Sequence, residues 1–216
     1  YRNTSTPHDR FQQMLSNESN RQDVFTASFA QDIDNLLSMQ NSLDKTLVEK
    51  VCKKIEEADN VYLSAMFTSE ICVQLMCFYL TRLGIKNTAF LGIGLSKQIE
   101  YSNITENDVF VAISSMGYLS EVIEAANFAK RGGAFTVAIT GNTTNPLARA
   151  CDINLVAPAQ GAAIDYSHVA PIAMVNLITN TIAADRPEEV LEQLAKEKER
   201  WARFYRIGFA HPMDQS

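Results

Sequence analysis

Ser114, Ser115, Gly117, Ser120 and Glu121 fall within one short stretch, Ser-Ser-Met-Gly-Tyr-Leu-Ser-Glu. Hydroxyls and a glycine at this spacing suit a turn that holds an anion. A glycine lets the backbone come close to a ligand, and serine hydroxyls add donors. Before the turn, Val109 to Ile113 is an apolar run rich in branched residues, the pattern of a strand buried on both faces. After it, from about Leu119, Val122, Ile123, Ala126 and Ala129 take helical spacing. A strand that turns tightly into a helix aims free N–H groups and the positive helix end at one spot. That spot suits a phosphate or a carboxylate. The same pattern also describes an ordinary βα loop whose serines cap the helix. Glu121, in the first helical turn, either reaches a ligand as an acid/base group or only complements the helix N-terminus.

Other chemistry-bearing residues are fewer. Gly92-Ile93-Gly94 resembles the start of a dinucleotide fingerprint, but Lys97 stands where the third glycine belongs. It also follows the second strand rather than the first. No phosphate loop ending in Gly-Lys-Ser/Thr is present. His8, His168 and His211 are far apart and form no metal spacing. His168, placed in a helix beside Asp165 and Ser167, is either a general base or a surface or capping residue. Cys52, Cys72, Cys77 and Cys151 form no C-x-x-C pair, and three sit among apolar neighbours in helical segments. They read as reduced, buried, structural thiols. No metal, no cofactor and no catalytic residue is assigned.

The elements that position the turn follow from the periodicity. Residues 1–21 are polar, a frayed helix or a linker. Two amphipathic helices follow, one from about Gln22 through Phe25, Phe29, Ile33, Leu36, Leu37 and Met39, the other at about 45–58 through Leu47, Val48, Val51, Cys52 and Ile55. Their stripes require cover, from the sheet or from another subunit. Strands at 60–65, 88–91, 109–113, 135–139 and 153–156 then alternate with helices at 69–83, 95–101, 119–131, a short one from Asn145-Pro146, and one at about 165–184. Pro187 opens a last amphipathic helix. This alternation predicts an α/β fold, a three-layer sandwich with a five-stranded parallel sheet flanked by helices and extra helices at the N-terminal end. Ligands bind such sheets at the carboxyl ends of the strands, where the turn at 114–117 sits. The chain of 216 residues, 46% hydrophobic and 20% charged, is long enough for one sizeable core. Its net charge of −6 disfavours a nucleic-acid surface on this chain itself. No apolar run is long enough to span a membrane, and no signal peptide is evident. A cytoplasmic protein is expected. The first residue is Tyr1 rather than Met, as in a piece of something longer.

The run from Asp108 to Ala126, then Ala129-Lys-Arg-Gly-Gly-Ala-Phe-Thr-Val-Ala-Ile-Thr, Asn145-Pro-Leu-Ala and Cys151-Asp-Ile-Asn-Leu resembles the sugar isomerase (SIS) domain over about residues 45–184. It is most similar to the SIS domains that follow a helix-turn-helix domain in RpiR-type transcriptional regulators. The resemblance implies a flavodoxin-like sheet and a sugar phosphate or amino-sugar phosphate effector at the strand ends. It further implies a homodimer or tetramer, control of carbohydrate metabolism genes, and DNA contact only through a domain absent from this chain. Residues 1–43 would be the linker and N-terminal helix, 44–206 the SIS domain and 207–216 a tail. Carried over residue by residue, the ligand set is Ser69, Ser114, Ser115, Gly117, Ser120 and Glu121.

Departures from the family pattern fall at the site. Ala65 and Phe67 take the glycine positions of the first loop, Met116 replaces the second serine of the other loop, and Leu119 replaces its threonine. Three functions follow from these residues. The first is a phosphosugar-sensing effector and oligomerisation domain, not an enzyme. The second is an aldose–ketose isomerase with Glu121 and His168 as the nameable acid/base groups. The third is a degenerate SIS domain that has lost phosphosugar binding.

Overall fold

The computed structural model describes residues 6–18, 23–91, 101–115 and 119–208, the last six without their side chains. Helix α1 (Pro7–Ser16) opens with a reciprocal capping box between Thr6 and Asp9, so the polar segment read as a frayed helix or linker does form a helix. Helix α2 (Val24–Ser42) is capped by Asp23 and ends at Leu43. Asp44 then caps α3 (Lys45–Glu57), its carboxylate accepting from the Thr46 amide at 2.8 Å and hydroxyl at 2.7 Å. The stripe on α2, for which cover from the sheet or from another subunit is expected, is covered within the described chain only toward its C-terminal end, at Leu36 and Met39. Asn35 and Met39 are the buried residues of α2, while Phe25, Phe29, Ile33 and Leu37 are exposed. On α3 the inner face is Val48, Val51, Cys52 and Ile55, as expected, but Leu47 lies outside.

Strand β1 (Val61–Ala65) leads through a 3-10 turn, Phe67–Ser69, into α4 (Glu70–Arg82) and β2 (Asn87–Leu91). The motif at Gly92-Ile93-Gly94 and the short helix expected at 95–101 lie outside the described residues, apart from Tyr101, which is helical. Strand β3 (Val109–Ser114) is buried along its whole length, in keeping with its unbroken apolar run. Helix α5 (Ser120–Arg131) ends at Gly132-Gly133, where Gly133 adopts φ +89, a conformation that a side chain resists. Strand β4 (Phe135–Thr140), α6 (Pro146–Ala150) and β5 (Ile153–Val156) follow. Asn145 caps α6 by accepting from the Leu147 amide, and Pro146 sits in its first turn, where its missing N–H costs nothing. Helix α7 (Val169–Asp185) begins four residues later than its apolar pattern suggested, so His168 is its N-cap rather than a residue within it. Helix α8 (Pro187–Gly208) closes the described chain.

The sheet is parallel throughout, in the order β2-β1-β3-β4-β5. Alternation along each strand sends Val109, Val111 and Ile113 into one core, with α3, α4 and α7, and Phe110 and Ala112 into the other, with α5 and α6. The result is the three-layer α/β sandwich expected. Connections run from β1 outward to β2, then back across to β3 and on to β5. The direction of travel therefore reverses between β1 and β3, and sheets of this kind bind ligands at the carboxyl ends of the strands near such a reversal.

Candidate functional site

The two loops at this reversal meet through one bond. Ser69, buried at the end of the β1 turn, accepts on Oγ from the Ser115 amide at 3.3 Å. Behind it, the Asn145 side chain donates to the Ser114 carbonyl at 3.4 Å. Ser114 and Ser115 are both buried. Neither caps α5, whose N-cap position is Leu119 and has no side-chain bond.

Ser115 Oγ is buried and has no hydrogen-bond partner, and Thr68 Oγ1 beside Ser69 is in the same condition. An unsatisfied buried hydroxyl costs about 1–3 kcal/mol, so such groups call for a ligand or a functional account. Ser115 lines an open cleft of about 1360 Å³. Gly141, on the loop after β4, also lines it. A side chain there would press on the Ser115 carbonyl at 3.3 Å. Asn142 and Gln160 carry amides on the cleft wall, and Gln31 and Asn35 of α2 face them. Arg10 and Tyr166 close one side.

The N-terminal helices are fastened to that wall. Arg10 donates from Nε and Nη2 to the Ile164 carbonyl, both at 3.3 Å, and stacks on the Tyr166 ring at 4.4 Å. Asn35 donates to the Gln160 carbonyl at 2.8 Å, and Ser167 donates to the Asp32 carboxylate. Sequence reasoning missed Arg10, Gln31, Asn35 and Asn142. Only Asn142, three residues past the end of a predicted strand, carried a local signal.

Of the residues singled out in the sequence, Ser69 and Ser115 are joined, and Ser114 is held just behind them. Gly117 and Met116 lie outside the described residues. Ser120 and Glu121 are exposed and bonded to each other at 3.0 Å, and neither is among the residues lining the cleft. His168 is half-buried and both ring nitrogens lack partners. Burial lowers its pKa against the opposing pull of Asp165, so the ring is neutral near pH 7. His168 does not line the cleft either.

Phe67 takes φ +56, alone among the described non-glycine residues. The loop thus keeps a glycine-like left-handed backbone although a phenylalanine occupies it. Met66 is buried in the core under α5. Burial pushes the Cys52 and Cys151 thiols up to about 12 and the Cys72 and Cys77 thiols to about 11, which leaves them protonated and unreactive. Among the described residues, no group of three His, Cys, Asp or Glu is placed to hold a metal ion. No described helix is long and apolar enough to cross a membrane.

A parallel sheet in this order, covered by helices on both faces, defines a doubly wound α/β fold. The family model for the SIS domain matches residues 54–181, and the chain belongs to that family. It is similar to an uncharacterized HTH-type transcriptional regulator of Caldanaerobacter subterraneus, 25% identical over 78% of this chain and 60% of the regulator. A second such regulator, from Haemophilus influenzae, is 28% identical over 54% of this chain and 40% of its own length. The chain thus spans less than two thirds of either. Among solved structures, the sugar isomerase domain of an RpiR transcription factor from Sphaerobacter thermophilus superposes with a TM-score of 0.79 at 29% identity, covering 82% of this chain and 99% of that one. The Vibrio vulnificus NanR protein complexed with ManNAc-6P shares the fold, with a TM-score of 0.75 at 20% identity over 89% of this chain and 72% of NanR. The likeness to RpiR-type regulators inferred from the motifs holds.

Proposed function

We propose that this chain is the phosphosugar-sensing effector domain of an RpiR-type transcriptional regulator, acting in the cytoplasm through a DNA-binding domain outside the chain. In this reading residues 1–43 link the two domains, 44–206 form the effector domain and 207–216 a tail, and the domain works as a homo-oligomer without catalysis. The observation that carries it is Ser115, which has a buried, unbonded hydroxyl, lines a roomy cleft at the carboxyl ends of the strands and is bonded through its amide to Ser69. A phosphate there would accept from donors at Ser115 and on the loop after β4, where Gly141 and Asn142 line the cleft. The NanR complex with ManNAc-6P supports a sugar phosphate on this fold. Glu121 is bonded to Ser120 away from the cleft, which favours a sensor over an isomerase.

One observation favours a second reading, a SIS domain that has lost phosphosugar binding. Arg10 is the one cation among the described cleft residues, and it is already engaged with Ile164 and Tyr166. A thermal-shift screen against hexose, pentose and amino-sugar phosphates, with inorganic phosphate as control, separates the two. A ligand at 100 times its Kd adds about 2.7 kcal/mol of stability. A shift with one sugar phosphate and none with phosphate supports the sensor. No shift with any of them supports the degenerate module.

A further inference from the structure

Helix α2 carries an apolar ridge that nothing in the described chain covers. Phe25, Phe29, Ile33 and Leu37 recur every fourth residue, and each is about half exposed or more, Phe25 at 76%. An i, i+4 row of this kind is the ridge that packs into another helix's groove. A soluble domain rarely leaves such a row to water unless it is an interface.

The groove to receive it lies on the same chain. A mainly apolar depression of about 520 Å³ runs between the end of α2, the start of α3 and α7, lined by Leu36, Leu37, Leu43, Val48 and Leu177. The two phenylalanines cannot fill the groove of their own chain. They sit near the other end of the same straight helix, roughly 15–20 Å away at 1.5 Å per residue. A two-fold axis near Ile33 solves both problems at once. It lays Phe25 and Phe29 of each copy against the groove of the other, and the contact closes with no ridge left over.

Charge agrees with this antiparallel arrangement. It sets Asp23, at the start of one α2, opposite Lys45, just past the end of the other. Lys45 is well exposed and, among the described residues, pairs with Glu49 at 3.4 Å on its own helix. The four ridge residues alone offer on the order of 500 Å² per copy. With the groove, the contact approaches the roughly 800 Å² per partner of a standard interface.

We infer that the exposed ridge of α2 and the α2–α3–α7 groove form a two-fold interface between copies of this chain. This names the face for the homo-oligomer part of the function proposed above, and it does not depend on what the cleft binds. Sedimentation of the 216-residue chain should give a dimer. Phe29→Asp and Ile33→Asp, at exposed positions, should raise the dimer dissociation constant by at least about tenfold while leaving the thermal melt of the monomer in place. Leu191→Asp, on the exposed side of α8, should leave the dimer intact. Asp23→Lys and Lys45→Glu should each weaken it, and the two together should associate more tightly than either alone. A dimer that survives Phe29→Asp combined with Ile33→Asp keeps self-association and removes this face. A wild-type chain that stays monomeric at all concentrations removes both.

Discussion

Ser115 is buried with an unbonded hydroxyl, and its amide is tied to Ser69. Two consequences separate folding from binding at this residue. Ser115→Ala removes a hydroxyl that finds no partner in the fold, so denaturant unfolding should show unchanged or slightly higher stability, by up to about 1 kcal/mol. The same variant should lose about 1–3 kcal/mol of sugar-phosphate affinity by calorimetry, because a hydrogen bond to a charged ligand is lost. Unchanged affinity would place the site elsewhere. Phe67 is the second informative residue. Its left-handed backbone, at φ +56, costs roughly 1–2 kcal/mol for a residue with a Cβ. Phe67→Gly should relieve that strain at a smaller entropic cost, stabilising the domain by about 0.5–1 kcal/mol in urea unfolding. Phe67→Val should destabilise it, since a branched side chain tolerates this region least.

At the scale of elements, α1 is bound to the loop between β5 and α7, and α2 to that loop and to α7 itself, rather than to the sheet. Arg10 grips the Ile164 carbonyl and the Tyr166 ring, with its side chain only 10% exposed. Arg10→Ala should free α1 while leaving the main core intact. Hydrogen exchange should then show lost protection confined to residues 7–16 and to the loop near Ile164, with little change in the global melt. A uniform loss of protection would mean that α1 belongs to the cooperative core. Periodicity placed α2 and α3 correctly as helices and left open whether the sheet or another subunit covers the α2 stripe. A pattern of apolar residues marks a face for burial but not what buries it. Here the inward positions are Asn35 and Met39, which pack toward the cleft wall and the core.

At the scale of the whole molecule, acidity acts through groups whose folded pKa is shifted. The His168 pKa is lowered below the usual value of about 6.5, by burial first, with Asp165 opposing. The unfolded chain then takes up a proton below about pH 6.5 that the folded chain refuses. Stability should therefore fall as pH drops through that window and level off below the folded pKa. His168→Gln should flatten this slope in denaturant unfolding at pH 7.5, 6.5 and 5.5. Asp152 acts further down. Its burial tends to raise the pKa, but bonds from Lys130 at 2.7 Å and from Thr136 outweigh that and lower it. The stability it contributes is present above the ordinary carboxylate range and fades as pH falls through the lowered folded value.

The sequence by itself determined the layers and the order of the elements. Buried parallel strands demand unbroken apolar runs, and amphipathic helices demand a 3.6-residue period, and both are local patterns. It also located the loops after β1 and β3, because small and hydroxyl-bearing residues between a strand and a helix leave a visible mark. Tertiary structure alone decided the composition of the cleft. Arg10 and Asn35 reach it from 125 to 154 residues away in the chain, at Gln160 and Ile164. No local pattern encodes such a meeting. Folding likewise turned Ser120 and Glu121 outward onto each other and left Ser115 facing the cleft. Which side of a helix's first turn faces the strand ends depends on how α5 packs on the sheet, and that packing is fixed only when the two cores close.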